Sequence, residues 1–166
     1  MFTEANGIPE LRGETSIAVS RIFDAPRELV WESWADPAQR GLWWGPNGFT
    51  TEFHSLDLRP GGQCLLTMRG PDGTEYPNRS VFTKVERPHI IAYAHSGNRV
   101  GSPEINFHAT WTFEEVEGGK TQLTLLQEYA DSELRRKIVE EYGAIKGGEQ
   151  TFARLAEFLT KIKQPA

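Results

Sequence analysis

The sequence predicts an α+β domain: a curved, seven-stranded antiparallel sheet wrapped around a long C-terminal helix, with two short helices after the first strand. Three observations carry that prediction. Between residues 49 and 129, six segments of strand character are separated by short stretches rich in glycine and proline. After Asp131 and Ser132 the apolar residues change to helical spacing. Ahead of both, two proline-marked helix starts accompany four of the five tryptophans, Trp31, Trp34, Trp43 and Trp44.

The first strand is read over residues 14–23, ETSIAVSRIF, where Ile17, Val19 and Arg21 alternate with Ser16, Ala18 and Ser20. Asp24 before Ala25-Pro26 predicts a helix start, an N-capping acid followed by proline in the first turn, with Leu29, Val30 and Trp34 at helical spacing. Asp36-Pro37 repeats the signal. The second helix must stop at Gly45-Pro46, because proline cannot continue the hydrogen-bond ladder.

The six following strands are FTTEFHSLDL, QCLLTMR, residues 76–86, HIIAYAH, INFHATWTF and QLTLLQEY. Arg59-Pro60-Gly61-Gly62, Pro71-Asp72-Gly73, Arg87-Pro88, a loop with Gly97, Gly101 and Pro103, and Glu117-Gly118-Gly119 separate them; short turns of this kind favour antiparallel neighbours. In INFHATWTF, residues Ile105, Phe107, Ala109, Trp111 and Phe113 share a dry face opposite Asn106, His108, Thr110 and Thr112. QLTLLQEY follows the same pattern with Leu123 and Leu125, but it sets Gln127 on the apolar side. Residues 76–86 cannot be oriented, since Val81 and Val85 oppose Phe82.

Leu134, Ile138, Tyr142, Ile145, Phe152, Leu155, Leu159 and Ile162 trace one stripe along a C-terminal helix of roughly 30 residues, capped by Asp131 or Ser132. Gly143, Gly147 and Gly148 interrupt it, each costing about 1 kcal/mol against alanine in a helix interior. Two reasons stay open: a kink or break, and small residues that keep space where the helix crosses the sheet. Residues 1–13 are assigned to a flexible lead-in, 14–162 to one domain and 163–166 to a tail.

The 166 residues, 38% of them hydrophobic, suffice for one ordinary core. A net charge of -5 with no Lys or Arg run excludes the footprint of a nucleic-acid binder and points to neutral molecules or proteins as partners. The lone Cys64 cannot form an internal disulfide and reads as a small buried hydrophobe. There is no apolar run near 18 residues and no charged-then-apolar leader, so a soluble cytoplasmic protein without a membrane span is expected.

His54, His89, His95 and His108 show no metal-ligand spacing, although Glu52 and His54 share a strand face. Neither a GxSxG nucleophile elbow nor a glycine-rich phosphate loop is present. Asp57 and Arg59 flank a hairpin and read as a structural pair. A strongly curved sheet and one helix do not fill the volume between them, so a cavity is expected.

The order of elements, with DAPRELVWESWADP, LWWGP, DLRPGG, PDG and the Gly147-Gly148 pair before the apolar C-terminal turn, resembles the SRPBCC superfamily (START-like, birch-pollen-allergen-like, helix-grip fold). Within it the chain is most similar to the family named for homology to the activator of the heat-shock chaperone ATPase. The resemblance spans about residues 15–160. It implies that the paired short helices plug one end of the curved sheet, with Trp31 and Trp34 mainly in the core and Trp43 and Trp44 near the cavity or its rim.

Trp44, Phe53, Met68, Phe107, Trp111 and Tyr142 are the expected cavity-lining residues, with Gln127 as a hydrogen-bonding contact. No catalytic, cofactor or metal residues are assigned, and no cofactor is implied. Three functions stand side by side: non-catalytic binding of a hydrophobic small molecule as carrier or sensor; contact with a heat-shock chaperone whose ATPase is activated; and a cyclase or aromatase-type enzyme, with His54, His95, Glu128 or Tyr142 as proton holders. A homodimer through a sheet edge or loop surface is a further expectation.

Overall fold

The computed structural model describes residues 5–163. In chain order the elements are β1 (Glu10–Arg12), β2 (Ser16–Phe23), α1 (Arg27–Ala35), α2 (Pro37–Arg40), β3 (Thr50–Leu56), β4 (Gln63–Arg69), β5 (Glu75–Glu86), β6 (Ile90–Gly97), β7 (Ile105–Val116), β8 (Lys120–Glu128), α3 (Ser132–Tyr142) and α4 (Ala144–Lys163). The strands form one antiparallel sheet in the order β1-β2-β8-β7-β6-β5-β4-β3, a helix-grip α+β fold.

The sheet has eight strands where seven are expected from sequence. The additional one, β1, lies in the segment assigned to a flexible lead-in, of which residues 1–4 fall outside the described residues. Three residues with one exposed leucine, Leu11, carry no readable alternation. The strand forms because the turn at Gly13, with φ 53°, folds Glu10–Arg12 back onto β2. The assigned tail falls almost wholly outside the described residues.

Two bulges decide which side chains face inward. The pairing of β5 with β6 slips between Phe82 and Lys84, so Phe82 and Val85 both reach the core although they are three residues apart. That slip is why a strict period of two cannot orient this strand. A second slip, between Phe53 and Ser55, lets Phe53 and Leu56 share the inner face of β3.

Helix α1 starts after Pro26, with no side-chain cap, so Asp24 does not cap it. Asp36 caps α2 by accepting from the Ala38 amide at 3.0 Å, and Asp131 caps α3 by accepting from the Leu134 amide at 2.8 Å. The long C-terminal helix is two helices. Gly143 adopts the left-handed conformation between them, φ 63°, which glycine reaches without a Cβ penalty.

The other two glycines serve a close approach. A Cβ on Gly148 would lie 2.8 Å from Pro9 Cγ, and one on Gly147 would lie 3.4 Å from Pro46 Cγ. They let α4 pass against the lead-in and against the loop after α2. The break expected from sequence lies at Gly143, whereas Gly147 and Gly148 admit close contact with Pro46 and Pro9 and do not hold space against the sheet.

Candidate functional site: an internal cavity

One half of the concave face is packed solid. Trp31, Trp34 and Trp43 are buried against Phe82, Phe113 and Trp111. Trp43 Nε1 donates to the Ser33 carbonyl at 3.0 Å, so Trp43 belongs to the core and not to a rim. Its neighbour Trp44 packs on it at 5.5 Å between ring centroids and on Trp111 at 5.6 Å, and also lines the hollow described next.

Inside this half lies a charge that sequence reasoning passed over. Arg40, 2% exposed, sets its guanidinium 4.0 Å from the Trp34 ring, 4.5 Å from Trp44 and 4.7 Å from Phe53. Its Nη2 donates to Cys64 Sγ at 3.2 Å, and its Nε has no partner. Burial depresses the Arg40 pKa and pushes the Cys64 thiol up, while Tyr93 is pushed up to about 12 by the same cause. An arginine in a four-residue helix reads as solvated, because Trp34, Trp44 and Phe53 close around it only in the fold.

The other half is hollow. A cavity of about 370 Å³ lies between the sheet, the Trp44–Phe49 loop and the two C-terminal helices. Phe152 of α4 stacks on Trp111 with ring planes 6° apart and forms one wall. Arg154 holds α4 to the loop by donating from Nη1 to the carbonyls of Trp44, Gly45 and Pro46 at 3.3, 2.9 and 3.0 Å. At the opposite end, Ile138 of α3 packs with Ile17 and Tyr129 in a small separate core.

Of the residues expected to line a cavity, Trp44, Met68, Phe107, Trp111, Gln127 and Tyr142 do so. Phe53 faces inward but lies outside the wall, against Arg40, because β3 is the far edge strand. Tyr142, 41% exposed, sits at the rim, where its hydroxyl accepts from Asn98 Nδ2 at 3.3 Å. Sequence reasoning left Tyr93 out and considered His95 only as a proton holder. The alternation in HIIAYAH, Ile91 then Tyr93 then His95, was the signal for both.

His95 stacks on Phe107 at 4.4 Å, and burial holds its pKa down at about 4, so the ring is neutral at pH 7. Of the remaining candidate proton holders, Tyr142 shares the cavity with His95, and His54 and Glu128 lie outside its wall. His54 is exposed and shares a 2.8 Å hydrogen bond with Thr67, and the exposed Glu128 lies 3.8 Å from His108. Glu52 pairs with Arg69 at 2.8 Å, and Arg59 Nε donates to Asp57 at 2.8 Å across the hairpin. Among the described residues no three His, Cys, Asp or Glu side chains could hold a metal, and no helix is long and apolar enough to cross a membrane.

A helix-grip domain with a hollow of this kind is, as a class, a ligand-binding type of domain. The family model described as "Activator of Hsp90 ATPase homolog 1-like protein" matches residues 24–160, and the chain belongs to that family. Among solved structures, a protein from Mycobacterium smegmatis is 29% identical over 90% of this chain and 93% of its own, with a TM-score of 0.78. A protein from Arthrobacter aurescens is 27% identical over 95% of this chain and 92% of its own, with a TM-score of 0.84. The AHSA1 protein from Silicibacter pomeroyi, 21% identical over 90% of this chain and 99% of its own, shares the fold with a TM-score of 0.72. No curated protein sequence matches.

Proposed function

We propose that the protein binds a hydrophobic small molecule in the cavity between the sheet and the C-terminal helices, as a carrier or sensor without a catalytic step. The observation that carries this reading is the hollow itself: about 370 Å³ walled by Trp44, Met68, Phe107 and Trp111 while the other half of the same face is packed with tryptophan. That volume equals about a dozen water molecules at liquid density, and an apolar wall favours an apolar guest over those waters.

The test is a fluorescence titration with the uncharged dye N-phenyl-1-naphthylamine. Wild-type protein is expected to bind it, and Gly147→Leu, which sends a side chain from α4 toward Pro46 and the cavity, is expected to weaken binding at least tenfold. Leu125→Phe fills the cavity from the sheet side and is the second variant if the first unfolds. Equal dye affinity in folded wild type and both folded variants would remove the proposal.

The family description supports a second reading, in which the chain contacts a heat-shock chaperone and raises its ATPase rate. Purified Hsp90 mixed with this protein would then hydrolyse ATP faster and co-elute with it on gel filtration. An unchanged rate without co-elution would discard that reading.

A further inference from the structure

The cavity is graded along the strands, and the gradient bears on the chemical class and orientation of its guest. Cross-strand register divides the inner face into rows. Ile91, Trp111 and Leu125 form one row, beneath Phe152 of α4. The next row is Tyr93, Ala109 and Gln127, and the one after it is His95, Phe107 and Tyr129. The last row lies beneath α3, where Tyr129 packs with Ile138. Along β6, β7 and β8 polar side chains therefore increase from the α4 end to the α3 end, where Ile17, Ile105 and Ile138 still supply apolar wall.

Three polar side chains in the two inner rows lack a protein partner. Tyr93 Oη already accepts from Trp111 Nε1 at 3.1 Å, Asn78 donates to the Tyr76 carbonyl at 2.7 Å, and Thr151 donates to the Gly147 carbonyl at 2.9 Å. Among the described residues, His95, Gln127 and Tyr129 make no side-chain hydrogen bond to protein, and all three line the cavity. Each can both donate and accept in its neutral form. His95 and Gln127 are half-buried and Tyr129 is buried, and the three face the cavity, where water or a bound molecule can satisfy their polar atoms.

The wall carries no Asp, Glu, Lys or Arg. An ionised guest would lose its hydration with no opposite charge to meet it, so a charged ligand is disfavoured. On the basis of the binding reading above, we propose that the guest is an uncharged amphiphile bound in one orientation. Its hydroxyl, carbonyl or amide end lies beneath α3 against His95, Gln127 and Tyr129, and its apolar end lies on Trp44 and Trp111 beneath α4.

Displacement of N-phenyl-1-naphthylamine at pH 7 by naphthalene, 1-naphthol and 1-naphthoate tests it, since the three probes share a ring system and differ at one substituent. The expected order is 1-naphthol tightest, by about fivefold to tenfold over naphthalene for one or two added hydrogen bonds, with 1-naphthoate weakest. Gln127→Leu and Tyr129→Phe should each lower 1-naphthol affinity and leave naphthalene unchanged. If 1-naphthoate binds as tightly as 1-naphthol, or folded variants keep the full preference for 1-naphthol, the assignment is overturned while the binding reading stands. If the dye and all three probes fail to bind wild type, both fall. The comparison of the three probes on wild type needs no variant to fold.

Discussion

The two halves of the concave face are built from the same strands and differ in what covers them. Under α1 and α2, Trp31, Trp34 and Trp43 fill the curve, and even a guanidinium is enclosed among Trp34, Trp44 and Phe53. Under α3 and the first turns of α4, the helices meet at Gly143, Gly147 and Gly148 abut two prolines, and the curve stays open, while Leu155, Phe158 and Leu159 further along α4 join the packed core. Covering residues thus decide where this sheet is core and where it is container. The same backbone architecture supplies stability at one end and leaves volume at the other.

Large-to-small substitution separates the halves most sharply. Trp34→Ala removes a ring that touches Trp44, Phe82, Tyr93 and Trp111 and is expected to cost about 3 to 5 kcal/mol in urea denaturation. Phe107→Ala, whose ring already borders empty volume, should cost about 3 kcal/mol or less, because fewer contacts are lost. Equal costs would mean that the hollow half is as tightly packed as the other.

Protonation gives the next largest effect. His95 is neutral in the fold, with its pKa lowered from 6.5 to about 4 by burial, so the unfolded chain binds the extra proton first. The stability this neutral ring allows is complete above pH 6.5 and is lost as pH falls toward 4, by roughly 1 to 3 kcal/mol. His95→Phe should flatten that part of the stability profile. A slope unchanged in the variant would assign it to other groups.

Much of this layout is legible in the sequence, and the parts that are not share a cause. The alternation in INFHATWTF placed Phe107, Ala109 and Trp111 on one face, and the apolar run after Asp131 placed Ile138, Phe152 and Leu155 on another. Residues 76–86 resisted orientation because a bulge resets the period at Thr83, and a bulge has no side-chain signature there. Strand β1 was hidden because pairing partners, and not its own residues, define it. Arg40 was hidden because its burial depends on aromatics brought together only by the fold.

The smallest expected effect falls on that arginine. Arg40→Met keeps the stem and removes a buried charge whose Nε is unpartnered, so stability should hold or rise slightly. A clear loss in Tm would show that the stacking on Trp34 and Trp44 outweighs the cost of burying the charge.

The most direct test of the container reading is an amide NMR map of wild-type protein titrated with N-phenyl-1-naphthylamine. Shifts concentrated at His95, Ala109, Gln127 and Gly147, with Arg40 and Trp43 unmoved, are the expected result. Shifts confined to the exposed face of the sheet or its edge strands would contradict it.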